Sequence, residues 1–223
     1  MLHFSQIAEQ IAATTKTLQK TALLADYFQS VSVEEAATAA VFFSGRPFPA
    51  SEETTLQVGG RLLWQIVEQL SGRSDSELAA AYREHGDLGA VAVAVLPQPS
   101  QTWGGGRPVS PSRTQNKFRE ISAARGPSTK SALVRGLPNL VSPLEAKYII
   151  KIMTGDLRIG LKESLVEEAI AKSFGAKSPD VQRANMLLGD IAETLRLASE
   201  GRLSDAKMRL FQDRKSTRLN SSH

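Results

Sequence analysis

Apolar residues recur at intervals of three and four along most of the chain, the spacing that places side chains on one face of an α-helix. Near the start this pattern is carried by Phe4, Ile7, Ala8 and Ile11, and late in the chain by Val166, Ala169 and Ile170. Polar residues fill the positions between them. The pattern predicts an all-α, multi-helix fold in which each helix buries one face.

Signals for helix starts support this prediction. Serine-x-x-glutamate motifs occur at Ser32 to Glu35, Ser74 to Glu77 and Ser142 to Glu145. In such a motif the serine side chain accepts from the glutamate amide, and the glutamate side chain accepts from the serine amide. The segment 91–95 alternates valine and alanine as a strand would, but no second segment of this kind is available to pair with it. We therefore predict a buried helix there.

The segment PQPSQTWGGGRPVSPS, residues 97–112, contains four prolines and three consecutive glycines. Such a composition leaves no room for a helix. We predict a linker between two helical halves, about 1–96 and 113–212, within one domain of residues 1–212. GGGR could also suggest a phosphate-binding loop, but a linker is favoured, because no Lys-Ser or Lys-Thr follows it and no strand precedes it.

The two halves repeat each other with a shift of 110 residues. Ten of the 35 positions from 11 to 45 carry the residue found 110 positions later, including three of the five in KTALL at 20–24 and KSALV at 130–134. Each half has a lysine at the start of one helix, a serine cap on the next, and a stop at Gly45 or Gly155. The repeat predicts a pseudo-twofold arrangement.

Each half also offers two cations to an anion. Lys20 and Lys130 lie at helix entries, where free amides and the helix dipole favour negative charge, and Lys130 follows Gly126 and Ser128. Arg46 and Arg158 come after the glycine stops. A twofold ligand with phosphates on both sides is double-stranded nucleic acid, whose phosphate contacts position a protein without reading sequence.

The plainer interpretation of these cations is structural. A lysine at a helix end is commonly solvated, and a glycine ends a helix whether or not a ligand binds beside it. Arg158 stands in TGDLRIGL, residues 154–161, where it could satisfy buried carbonyl groups of the turn.

Composition narrows the classes of function. Apolar residues make up 41% and charged residues 22% of the chain, as in globular proteins. The chain has no cysteine and only three histidines, without metal-ligand spacing, so a metal site is not expected. No apolar run is long enough to span a membrane and no signal peptide is present, so we expect a cytoplasmic location.

The net charge of +4 depends partly on the last eleven residues, DRKSTRLNSSH. Without their three basic residues and one acidic residue, 24 basic and 22 acidic residues remain, a net charge of +2. This tail, residues 213–223, has no apolar periodicity, and we interpret it as a non-native extension.

The chain resembles the N-terminal DNA-binding domain of ATP-dependent DNA ligases. The strongest similarity is SPLEAKYIIKIMTGDLRIGLKESLVEEAIA, residues 142–171, where a helix ends in a glycine, an L-R-I-G-L turn follows and another helix begins. Further similarities occur in the expected order: FSQIAEQI, TKTLQKTALLADYF, SGRPFP, GDLGAVA and ISAARGPSTKSALV. The resemblance covers residues 2–210.

The resemblance implies a monomeric, all-helical domain with internal pseudo-twofold symmetry that binds the minor groove on both sides of a nick. It implies a function in DNA repair, replication and recombination. The expected DNA-binding residues are Lys20, Arg46, Gly126, Ser128, Lys130, Arg158 and Gly160. Leu157 and Ile159 are expected to anchor the turn that carries Arg158.

The resemblance also implies that nucleotide transfer needs more than this chain. Relatives carry the adenylated lysine in a K-x-D-G motif of a following domain, and no such motif occurs here. ATP and Mg are expected in that catalytic domain, and no cofactor, metal ligand or catalytic residue is expected in this chain. We therefore predict that the chain does not join DNA alone.

Two other classes of function compete with DNA binding. A helical protein-interaction scaffold is favoured mildly by the small net charge, since DNA-binding domains are commonly more basic. An independent enzyme could use Glu84 and Asp87 as acid and base, but the sequence EHGD more simply caps and joins two helices.

Overall fold

The computed structural model describes residues 1–98, 109–139 and 141–207, and this part of the chain folds into twelve α-helices without a strand. The first six are α1 (Leu2–Ala13), α2 (Thr17–Ser30), α3 (Val33–Phe43), α4 (Gly60–Ser71), α5 (Asp75–His85) and α6 (Leu88–Val95). The second six are α7 (Pro111–Ala123), α8 (Pro127–Asn139), α9 (Pro143–Thr154), α10 (Glu163–Phe174), α11 (Ser178–Leu188) and α12 (Ile191–Ser199). A short 3₁₀ helix follows at Leu203–Asp205. The predicted all-α fold is confirmed.

Side-chain caps define several of these helices. Ser74 and Ser142 form the two reciprocal capping boxes predicted for α5 and α9. Ser32 also caps α3, but the Ser32 amide does not donate to the Glu35 side chain, so the predicted reciprocal contact is wrong. The Glu35 carboxylate instead accepts from the Ser112 amide at 3.1 Å, so it ties α3 to the start of α7.

The segment with alternating valines is a helix, as predicted. In α6, Val91 and Ala92 are buried, while Val93 is 40% exposed, so the helix buries one face only. Asp87 caps its first turn by accepting from the Ala90 amide, and Gly86 ends α5 in the left-handed conformation. The interpretation of EHGD as a helix connection is confirmed.

Most of the segment predicted as a linker lies outside the described residues, as does the tail 213–223. Helix α7 begins at Pro111, so the last two residues of the predicted linker are helical, and Val109 and Pro111 are buried. In the described part of the chain, no helix is both long and apolar enough to cross a bilayer.

The six-helix order repeats with two different shifts. Helices α8 and α9 start 110 residues after α2 and α3, as the sequence repeat predicts. Helices α10, α11 and α12 start 103 residues after α4, α5 and α6. The third and fourth helices therefore start seven residues closer together in the second half than in the first.

Helices of each half pack on helices of the other half around a shared core. Helix α6 of the first half packs on α9 of the second, and α12 of the second half packs on α3 of the first. Helix α10 packs on α2, and α4 packs on α8. Fully buried aromatic rings fill the centre, with Phe4 and Phe43 at 4.3 Å between centroids and Phe42 and Phe118 at 5.7 Å. One continuous hydrophobic core thus spans both halves.

Candidate nucleic-acid interface

A short turn, residues 155–162, connects α9 to α10. Gly155 takes the left-handed conformation with φ 70°, and the amides of Gly155 and Asp156 donate to carbonyls of the last turn of α9. Leu157 and Ile159 are buried to 6% and 4% exposure. Their expected role as anchors of the turn is confirmed.

Arg158 is held outside these two anchors. Its side chain is 58% exposed, and its Nε lies 2.5 Å from Asp156 Oδ2. Its backbone has φ 48°, a left-handed conformation that costs a residue with a Cβ about 1 kcal/mol or more. The guanidinium donates to no buried carbonyl of the described residues, so the structural interpretation of Arg158 is not supported.

Lys20 supports the short turn from inside. It lies in the first turn of α2, is 6% exposed, and its Nζ donates to the carbonyls of Ile159 and Gly160, both at 2.8 Å. A Cβ added to Gly160 would lie 2.7 Å from this nitrogen. Two of the three ammonium donors are thus used within the protein, whereas the sequence predicted a phosphate-binding lysine here or, in the plainer interpretation, a solvated one.

A long loop, residues 44–59, connects α3 to α4. Gly45 ends α3 with φ 80°, and Arg46 follows it with a side chain that is 48% exposed. Arg46 Nη2 lies 3.7 Å from Glu163 Oε2, at the first residue of α10. Loops of more than about 12 to 15 residues without regular structure are uncommon in compact domains and are often functional.

The long loop and the short turn meet at their glycines. A Cβ added to Gly45 would lie 3.9 Å from the Gly155 carbonyl oxygen, and one added to Gly155 would lie 3.9 Å from that of Gly45. Beside this contact is an open cleft of about 700 Å³, lined by the long loop and by Met153, Thr154 and Gly155. Arg46 lies at this cleft.

The start of α8 contacts the long loop through Lys130. Gly126 has φ 86°, and Ser128 is exposed in the first turn of the helix. Lys130 is half-buried, and its Nζ donates to the Leu56 carbonyl at 3.3 Å. The polar entry predicted for this helix therefore reaches the same loop that carries Arg46.

The structure thus brings Lys20, Arg46, Lys130, Arg158 and Gly160 to two adjacent connections, and Gly126 and Ser128 lie at the start of α8 just before Lys130. Arg46, Arg158, Gly160, Gly126 and Ser128 are open to solvent, whereas Lys20 and Lys130 are engaged with loop carbonyls. The two arginines are not equivalent by position. Arg158 stands five residues before α10, and the residue five before α4 is Thr55.

The residues that sequence reasoning missed belong to the long loop. Leu56 is 4% exposed, and Gln57 has φ 49°, so this segment repeats the buried anchor and left-handed residue of Ile159 and Gly160. The positions differ by 103, which is the shift of the helices that follow. The available signal was the length of the connection, because no identity in the repeat lies beyond Gly45, at the start of this loop.

Asp87 is occupied by structural contacts. Its carboxylate caps α6 and accepts from Lys151 Nζ at 2.9 Å. Burial alone would raise the pKa of Asp87, but the bonds from Lys151 and the Ala90 amide and the nearby charges of Lys151 and Lys147 lower it below its usual value. A base at neutral pH needs a raised pKa, so the alternative of an enzyme using Glu84 and Asp87 gains no support. The described residues contain no group of three or more possible metal ligands.

Known proteins are similar to this chain over most of its length. The first 171 residues match the family described as DNA ligase N terminus. A probable DNA ligase of Koribacter versatilis is 49% identical over 214 residues, which covers 93% of this chain and 35% of that protein. A DNA ligase of Archaeoglobus fulgidus is 30% identical over 212 residues, which covers 93% of this chain and 38% of that protein. The chain therefore spans little more than a third of the length of these relatives.

Proposed function

The chain belongs to the DNA ligase N-terminal family, and from this premise we propose that it binds and positions nicked duplex DNA for strand joining. The short turn and the long loop would contact phosphates on the two sides of the duplex. Contacts of this kind hold position and register without reading bases. The domain would thereby hold the strand ends in place for chemistry carried out elsewhere in the protein.

The conformation of Arg158 is the observation that carries this proposal. A left-handed arginine is unfavourable, yet the turn fixes it between two buried anchors and leaves the guanidinium exposed. Its partner Asp156 is also exposed, so a phosphate can replace this carboxylate at small cost, because surface ion pairs contribute little. Strain kept at an exposed cation is typical of a binding site.

The joining reaction is proposed for the remainder of the whole protein. Transfer of a nucleotide needs an activated lysine and metal-held phosphates, and we propose that a catalytic domain supplies them with ATP and Mg. We further propose that the protein acts in DNA repair, replication and recombination, and that this chain is monomeric. Light scattering after size exclusion tests the last point directly.

Fluorescence anisotropy of the full chain with nicked duplex, intact duplex and single strand tests DNA binding. About five phosphate contacts should give a slope of log affinity against log salt near −4.5 for duplex, and weaker binding to single strand. Arg158→Gln and Arg46→Gln should each reduce the steepness of the slope by about 0.9, since each removes one phosphate contact.

Arg73→Gln is the matched control. Arg73 is 56% exposed and pairs with Glu77, much as Arg158 pairs with Asp156, but it lies between α4 and α5. Its replacement should leave affinity and slope unchanged. If all three variants bind as the wild type does, the two connections are not the interface. If the wild type binds no duplex at low salt, the alternative of a protein-interaction scaffold is favoured.

A further inference from the structure

Lys20 and Lys130 make the same contact in opposite halves of the molecule. Lys20, in α2, donates to the carbonyl of Ile159, and Lys130, in α8, donates to the carbonyl of Leu56. The two lysines are 110 residues apart and the two carbonyls are 103 apart, which are the two shifts of the repeat. The contact is therefore a repeated feature of the fold.

The acceptors are unusual for a lysine. Lys20 is almost fully buried, and among the described residues its Nζ has no carboxylate within 4 Å, only the carbonyls of Ile159 and Gly160. Removing an ammonium from water is costly and must be offset by hydrogen bonds. A lysine buried on backbone carbonyls fixes the direction of those peptide groups.

The direction of a carbonyl also sets the direction of an amide. In a planar trans peptide the C=O and the N–H point to opposite sides. Because the carbonyls of Ile159 and Gly160 face Lys20, the amides of Gly160 and Leu161 face away from it. Likewise, the amide of Gln57 faces away from Lys130. None of these three amides donates to another described residue.

We propose that Lys20 and Lys130 are positioning residues, which turn the amides of Gly160, Leu161 and Gln57 outward to bind phosphates of the DNA backbone. Successive outward amides near a left-handed residue form an anion-binding concavity. Gly160 and Gln57, with φ 61° and 49°, supply that conformation in the two halves. This proposal rests on the proposed DNA binding, and it replaces direct phosphate contact by the lysines.

Titration of the ¹⁵N-labelled full chain with nicked duplex tests the proposal without a variant. The amide signals of Gly160, Leu161 and Gln57 should shift strongly on binding. If anisotropy records binding while these three signals stay in place, the proposal is overturned and the proposed function stands. If no duplex binds, both fail together.

Lysine-to-methionine variants then separate positioning from direct contact. Lys20→Met should abolish the DNA-induced shifts of the Gly160 and Leu161 amide signals but not that of Gln57. Lys130→Met should abolish the shift of Gln57 but not those of Gly160 and Leu161. Duplex affinity should fall roughly threefold to tenfold, the effect of losing one or two neutral hydrogen bonds. The salt slope should stay constant, because neutral amides release no counterions.

A loss of about 0.9 in the salt slope of either variant would make that lysine a direct phosphate ligand and overturn the proposal. Lys172→Met is the matched control. Lys172 is exposed in the last turn of α10, and its replacement should leave all three amide responses and the affinity unchanged. Thermal unfolding of each variant confirms that the folded state is being compared.

Discussion

At the scale of single residues, the ion pair between Lys151 and Asp87 links stability to pH. The two side chains are 7% and 24% exposed, and the pair joins α9 to the start of α6. The pKa of Asp87 is lower in the folded chain than its usual 3.8. A lowered carboxyl pKa adds stability above the unfolded-state pKa, and this stability is lost as pH falls through the folded-state pKa.

We therefore predict that Asp87→Asn lowers the free energy of unfolding by about 2 kcal/mol at pH 7, because it leaves Lys151 buried without its charge partner. The difference from the wild type should begin to shrink below about pH 4, near the unfolded-state pKa of Asp87, and should continue to shrink as pH falls through the lower folded-state pKa. Urea unfolding at pH 7, 5, 4 and 3 measures this difference.

The asparagine can still cap α6, so the helix cap is kept in this comparison. Lys151→Met should weaken the same pH dependence without abolishing it, since the Ala90 amide and Lys147 still lower the Asp87 pKa. If the difference in the free energy of unfolding between wild type and Asp87→Asn stays constant from pH 7 to 3, the Lys151–Asp87 pair does not link stability to pH.

Single residues also mark the limit of prediction from the sequence. The turn around Arg158 could be predicted, since two glycines and two apolar residues are local signals. The burial of Lys20 could not, because its acceptors lie 139 and 140 residues away in the chain. In a single sequence, a lysine that is solvated at a helix start cannot be distinguished from one that is buried under a distant turn.

At the scale of helices, α6 lies unusually close to α9. A Cβ added to Gly89 would lie 2.7 Å from the Lys147 carbonyl oxygen and 2.9 Å from Lys151 Cγ. These distances are shorter than real contacts, so the helices would have to separate. We predict that Gly89→Ala destabilises the chain by roughly 1 to 3 kcal/mol, the usual cost of overpacking.

Gly136→Ala is the matched helix substitution. A Cβ at Gly136, in α8, would meet nothing within 4 Å. Alanine should stabilise this helix by up to about 1 kcal/mol, since glycine is the poorer helix former. Thermal and urea unfolding of both variants give the change in the free energy of unfolding, which should be negative for Gly89→Ala and positive for Gly136→Ala. Equal changes would show that helix propensity alone determines the effect at Gly89.

Helices were predictable where local signals were complete. Serine caps and the spacing of apolar residues are sufficient to identify α3, α5 and α9 in the sequence. The return contact of Glu35 failed because a distant amide, that of Ser112, competes for the same carboxylate. The start of α7 at Pro111 was missed because proline is typical of linkers as well as of first helical turns.

At the scale of the whole molecule, the repeat is larger than the sequence indicated. Identity at a shift of 110 covers only the first three helices of each half. The last three follow at a shift of 103, because the long loop is eight residues longer than the short turn while α3 is one residue shorter than α9. A comparison at one fixed shift therefore loses the second part of each half.

This arrangement predicts that neither half folds alone. In residues 1–98, α6 would lack α9, α3 would lack α12, and Lys20 would lose its acceptors. The apolar faces so exposed belong to a core that both halves build, and a half domain of this size has little stability to spare. Circular dichroism of the fragments 1–98 and 109–223 should show much less helix than the intact chain.

Mixing the two fragments should restore the helical signal, and the complex should unfold in one transition. Each half supplies surfaces that the other needs, so association and folding are coupled. The midpoint of unfolding should rise with fragment concentration, as it does when a partner binds only the folded state. A stable, helical 1–98 fragment whose unfolding is independent of the second fragment would mean that the exchanged contacts of α6 and α12 are not required for folding.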